Sequence, residues 1–176
     1  AHTVPVDDEW LARMIAPLQD DGVVMSYGRQ IGVAESKFSE ANDFDRFFGQ
    51  RGREDTPRNI KANNANSAIR KTEWTTKKFH PLLPGLEDAD WASHWLRHDR
   101  RVVYLPDATI RHIHEETWPQ IRRRFYREAV AARRIGLLGR RHIPREMSRD
   151  LRRTFKDVVL CFRPAGNPVA TRLNVA

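Results

Sequence analysis

Cysteine is nearly absent: Cys161 is the single thiol in 176 residues. That excludes an internal disulfide framework, leaves no sulfur cluster for a structural zinc, and fits a reducing compartment, with the cytoplasm as the default. Long apolar runs are missing too. No stretch approaches the roughly 20 apolar residues that cross a bilayer, so no spanning helix is expected. Neither an internal repeat nor a low-complexity tract occurs, and the apolar and charged fractions are those of a globular chain, so wholesale disorder is not expected. The chain opens on Ala rather than Met with no basic-then-apolar leader, and is therefore expected to be a processed product or a piece of something longer.

Acids are outnumbered. The 31 Lys and Arg against 23 Asp and Glu give a formal net charge of +8, and the Arg residues concentrate between Arg97 and Arg163 while many acids lie in the first third. A basic C-terminal region suits an anionic partner: nucleic acid, anionic lipid or a nucleoside diphosphate. A merely solvated face fits as well. Nucleic-acid readers carry a reading motif or interleaved aromatics, and neither is present, so no nucleic-acid partner is expected.

What is there reads as strands interleaved with helices, hence an α/β sheet covered by helices. Trp10, Leu11, Met14, Ile15 and Leu18 recur at helical spacing, so a helix is expected over Val6 to Leu18. Val23 to Gly28 has strand composition. Gly49 to Asn63 reads as a loop, Asn63 to Arg70 as a short strand followed by another loop, and Glu87 to His98 as a helix. Val102 to Leu105 and Ala108 to Ile113 read as two short strands joined by Pro106-Asp107. Thr117 to Gly136 is expected to be helical, with Pro119 tolerated in its first turn, and a second Arg-rich helix should cover Arg145 to Phe162. The strands are too few for a complete doubly wound sheet. The division expected is residues 1–115 as a catalytic half-domain and 116–176 as a helical basic extension.

The strongest constellation is Gly85-Leu86-Glu87-Asp88-Ala89-Asp90-Trp91. Asp88, Trp91 and Trp95 fall at i, i+3 and i+7, so a carboxylate heads the same helix face as two large apolar side chains. Exposed first-turn amides and the helix dipole would hold that carboxylate ionised. Read from spacing alone, capping of the helix by Glu87 and Asp88 is the commoner role of such a pair.

In order along the chain stand an early Trp-Leu helix, Tyr27-Gly28-Arg29-Gln30, Asn64-Ala65-Asn66-Ser67-Ala68-Ile69-Arg70, Leu86-Glu87-Asp88, Tyr104-Leu105-Pro106-Asp107-Ala108 and His112. This succession, over about residues 1 to 136, resembles the second half of family 2 glycosyltransferases. The Asp90-Trp91-Ala92 continuation and the Phe125-Tyr126-Arg127-Glu128-Ala129 helix are most similar to sugar transferases of bacterial polysaccharide assembly. The resemblance implies part of a GT-A-type fold, a mixed sheet flanked by helices, that supplies the acceptor side of an inverting enzyme. Its partners would be a nucleoside-diphosphate sugar and a glycan or lipid-linked acceptor, at the inner face of the membrane. The nucleotide-binding half would precede Ala1, so this chain alone is expected to be inactive.

Residue by residue, the resemblance gives Asp88 the role of general base, and Glu87 that of orienting it or the acceptor. A carboxylate is far less basic than an alkoxide, so it helps only as the new bond forms, and placement within about 3 Å matters more than resting pKa. A divalent metal, Mg or Mn, would neutralise the leaving diphosphate. Here His2 takes the place of the last acid of the usual Asp-x-Asp motif, and His112 is the better match to the family's metal-side His. His112 and His114 are expected to face opposite sides of their strand and so not to share one cleft. A disordered terminus for His2, and a hydrogen-bonded structural role for either strand His, are the plainer alternatives. Asn64 and Asn66 fall where amides suit sugar hydroxyls, though turn or strand-edge Asn fits equally. Trp91 could stack on a sugar, yet its spacing from Trp95 is that of a core residue; Arg29 and Gln30 are weaker candidates of the same kind.

The competing class is a non-catalytic basic module. Arg149 to Phe162 sets Leu151, Phe155, Val158, Val159 and Phe162 among basic residues, a pattern compatible with a helix lying on a membrane surface, or packed on its own domain.

Overall fold

Val23, Val24 and Met25, followed by Tyr27, form a strand buried on both faces, as the continuous apolar run dictates. The computed structural model describes residues 2–34, 36–57, 59–139 and 143–161. In chain order the elements are β1 (His2–Pro5), α1 (Trp10–Ile15), β2 (Val23–Ile31), α2 (Phe38–Phe47), β3 (Arg53–Glu54), β4 (Ser67–Ile69), α3 (Lys71–Thr76), α4 (Glu87–Leu96), β5 (Arg101–Ile113), α5 (Trp118–Arg134) and α6 (Ile143–Cys161). The class is α/β: a mixed sheet in the order β1-β5-β2-β4, flanked by helices, with β3 also pairing with β5.

β2 and β5 run parallel, while β1, β3 and β4 add antiparallel. The expected break at Pro106-Asp107 is real, but it is an irregularity within one 13-residue strand rather than a gap between two. Between the pairs Gly28–Leu105 and Gln30–Ile110, two steps along β2 match five along β5. Pro106 has no N–H to give a ladder, and the Thr109 hydroxyl folds the excess back onto the Pro106 carbonyl at 2.8 Å. Gly28 sits beside this irregularity because nothing larger fits: a Cβ there would lie 2.0 Å from the Ala108 carbonyl oxygen.

The first helix is shorter than its apolar spacing suggests. It stops at Ile15 and gives way to a 3-10 turn over Ala16–Gln19 that contains Pro17. The expected strand from Asn63 begins as a 3-10 turn, Asn64–Asn66, because the Asn63 side chain accepts from the Ala65 N–H at 2.9 Å. α2 and α3 fall in stretches with no expected helix. α6 runs close to its expected bounds, and Phe162 lies outside the described residues.

One core cluster joins side chains of β2, β5 and α4. Tyr27 and Tyr104 pack at 5.2 Å between centroids, and Trp91, wholly buried, meets Trp95 edge-on. Asp55 is a buried charge beside this core, satisfied by the Tyr27 hydroxyl at 2.6 Å and by the Lys61 and Ala62 amides at 2.7 and 2.9 Å. α6 is different in kind. Every residue of it whose side chain is described is exposed, including Leu151 at 69% and Phe155 at 70%. No helix among the described residues is long and apolar enough to cross a membrane.

Candidate functional site

A polar cavity of about 380 Å³ opens between three pieces of chain. Asn63 and Asn64 with Glu87 and Asp88 line one side; His112, His114 and Glu116 line the second; Arg124, Arg127 and Glu128 of α5 line the third. The cavity therefore spans the division expected between residues 115 and 116.

Asp88 reaches the cavity through a locally strained turn. Leu86, the residue before α4, is left-handed at φ 57°, a conformation costing an L residue roughly 1–2 kcal/mol. The strain turns the chain so that Glu87 and Asp88 head the helix beside the Asn63–Asn66 turn. Asp88 Oδ1 accepts from the Ala89 N–H at 2.7 Å and Oδ2 from the Asn64 N–H at 2.8 Å. It thus caps its own helix and ties that helix to the neighbouring loop. Glu87 accepts from the Asn64 amide at 3.2 Å. Burial pushes the Asp88 carboxyl up to about 6, against the lowering effect of the two amides. This differs from the expectation of a firmly ionised group, because dehydration outweighs the helix terminus; the group is still mostly ionised at neutral pH.

On the second wall, His112 and His114 sit together, with ring centroids 4.1 Å apart and their Nε2 atoms at 2.8 Å. The expectation of opposite faces fails on the strand period itself: residues i and i+2 share a face. His112 Nδ1 faces Gln30 Oε1 at 2.6 Å, and its ring stacks on Phe44. Burial, reinforced by His114, drives His112 down to about 4, so it is neutral at neutral pH. Burial likewise lowers His114, opposed by Glu40, whose Oε1 lies 2.6 Å from His114 Nδ1. Burial raises Glu128, which stands beside Arg124 at 3.7 Å.

Asn64, Glu87, Asp88 and His112 thus meet in one cavity; the other sequence candidates lie elsewhere. Trp91 is wholly buried and its indole N–H donates to the Lys77 carbonyl at 2.5 Å, so it has no face for a sugar. Asn66 is an interior connector, accepting from Trp10 Nε1 and donating to the Arg29 and Ala108 carbonyls. Arg29 pairs with Asp45 at 3.7 Å away from the cavity lining. His2 is exposed on β1 and pairs with Ile113, while Thr3 pairs with His112. Cross-strand partners share a face and neighbours alternate, so His2 and His112 point to opposite sides and cannot hold one metal between them.

Glu40, Glu116 and Arg124 were not among the expected site residues, and His114 stood only as a weaker match than His112. Glu40 comes from a helix the sequence pattern hid, and the Arg run around Arg124 reads as a solvated face until α5 is folded over the cavity. Comparison with protein-family models, with curated proteins and with solved structures found no match.

Proposed function

We propose that this cavity is the acceptor side of an inverting sugar-transfer site with a GT-A-type architecture. The observation that carries the reading is Asp88: a buried carboxylate, fixed by two backbone amides at the head of α4, opening on a polar cavity beside Glu87 and Asn64. Its support is the agreement of that geometry with the ordered sequence resemblance. In the proposed step an acceptor hydroxyl attacks the anomeric carbon of a nucleoside-diphosphate sugar. The new C–O bond forms as the bond to the β-phosphate oxygen breaks, the electron pair leaves with the nucleoside diphosphate, and the hydroxyl proton passes to Asp88. Glu87 and the Asn64 amide orient the acceptor. Arg127, exposed at the third wall, offers charge to the diphosphate. The Mg or Mn of the resemblance has no ligand pair in His2 and His112, and no step here runs through it.

A base of this kind contributes about 10²- to 10⁴-fold. In the full natural polypeptide, Asp88→Asn should lose turnover by that factor with donor binding kept, measured as nucleoside diphosphate release across a panel of nucleotide sugars with glycan and polyprenyl-linked acceptors. Wild-type turnover in the variant at saturating substrates would remove Asp88 from the chemistry and leave it a cap.

We also propose an anionic membrane surface as the setting. In α6, Met147, Leu151, Phe155, Val158 and Val159 fall on one exposed arc, with Arg149, Arg152, Arg153 and Lys156 around the rest. On α5, Trp118 and Tyr126 are exposed at 66% and 71%, on either side of Arg122. Amphipathic aromatics next to Arg suit a headgroup layer, and the charge matches anionic lipid rather than another copy of a basic chain.

A further inference from the structure

The hydrogen bonds on the second wall of the cavity fix which imidazole nitrogens carry protons. Asn63 Oδ1 accepts from the Ala65 N–H at 2.9 Å, so that atom is the oxygen. Gln30 Nε2 donates to the same oxygen at 3.0 Å, which turns Gln30 Oε1 toward His112 Nδ1 at 2.6 Å. His112 Nδ1 therefore bears the hydrogen, and in the neutral ring Nε2 is bare. The atom facing that bare nitrogen, His114 Nε2 at 2.8 Å, must donate.

His114 Nδ1 is then left with a lone pair. It is buried, no donor among the described residues reaches it, and Glu40 Oε1 lies 2.6 Å and Glu116 Oε2 3.5 Å from it. A bare nitrogen held this close to two carboxylates is repulsive unless a cation sits among the three groups. Arg124 does not fill this role: it donates through Nε to Glu116 at 2.9 Å and stands 4.0 Å from Glu40, with no bond to the imidazole. Nor does Lys37, which donates to the Glu116 carbonyl.

We propose that Glu40, His114 and Glu116 ligate a divalent transition-metal ion, with zinc or manganese suited to one nitrogen and two oxygens. With metal–ligand bonds of about 2.1 Å, ligand atoms on one ion lie roughly 3.0–3.4 Å apart; the separations of 2.6 and 3.5 Å bracket that span. Their ligand atoms all lie within 4.8 Å of one another. Phe44 stacks on His112 and meets His114 edge-on, and with the Gln30–His112 relay this holds the ligating ring in one tautomer, as outer partners of metal-bound His do. The ion would sit on the cavity wall, and the inference stands whether or not the cavity transfers sugar.

Calorimetric titration of the purified chain with Zn²⁺ and separately with Mn²⁺ tests this. One saturable site is expected, weakened at least about tenfold in Glu40→Gln and in His114→Ala, with folding of each variant checked by circular dichroism. Because the His substitution could disturb the ring pair, long-range ¹H–¹⁵N NMR of the unsubstituted protein gives an independent readout. His114 Nδ1 should be unprotonated without metal and shift on zinc addition. Absence of saturable uptake of either ion, affinity unchanged in Glu40→Gln, or a His114 protonated on both nitrogens and unmoved by zinc would each overturn the assignment, the last making a proton the cation between the carboxylates.

Discussion

At the scale of single residues, Asp88 sets a conflict between dehydration and hydrogen bonding that stability can report. Its pKa rises from the ordinary 3.8 to about 6 on folding, so between those values the native state holds a proton the unfolded chain has released. Stability must then fall as pH rises through that window, and the deficit persists above it. The displacement from 3.8 to about 6 corresponds to roughly 3 kcal/mol of differential interaction. Urea unfolding at pH 4 and pH 7 should show a smaller loss in Asp88→Asn than in the wild type, since the amide does not titrate. Parallel losses in the two proteins would assign the pH dependence to other groups. The role of Asp88 as head of α4 was legible from its spacing to Trp91 and Trp95; its raised pKa was not. Burial depends on the Asn63–Asn66 turn closing over it, a contact 24 residues away in sequence.

At the scale of elements, legibility followed local periodicity. β2, α4 and α5 lie near their expected positions because each carries an uninterrupted apolar pattern. α2 was hidden because only Phe38, Ala41 and Phe44 mark its face among polar residues, and it holds its place by packing Phe44 on His112. The cost of missing α2 was Glu40, and with it the Glu-His-Glu group. α6 poses the opposite problem, a strong pattern with nothing among the described residues covering it. Co-sedimentation with vesicles containing anionic phosphatidylglycerol should capture the protein at low salt and release it at high salt, with little capture by neutral phosphatidylcholine. Leu151→Glu together with Phe155→Glu should abolish capture while leaving metal binding and the fold intact. Equal capture by neutral and anionic vesicles, or none by either, would sink the membrane assignment.

Across the whole molecule, cohesion is concentrated where β2 and β5 meet, flanked by Trp91, Tyr27 and Tyr104. Amide exchange should therefore be slowest in Val23–Tyr27 and Val102–Tyr104 and fast throughout α6, since its described side chains are all exposed and a helix with little packing is marginal in water. Anionic vesicles should slow exchange in α6 alone. Protection of α6 equal to that of β2 in lipid-free buffer would mean that another protein surface already covers its stripe. The irregularity at Pro106–Thr109 gives this arrangement a further consequence. Upstream of it, β5 is bound into the core through Tyr104; downstream, the same strand carries Ile110 and His112 toward α2. Asn66 bridges the break from the side, clasping Arg29 and Ala108 where the ladder slips. The foundation and the working surface are thus joined by a single adjustable coupling. Lengthening or shortening that loop of β5 would swivel the histidine pair relative to Asp88 while the tyrosine-tryptophan foundation stayed as it is, so the cavity can be retuned without rebuilding what supports it.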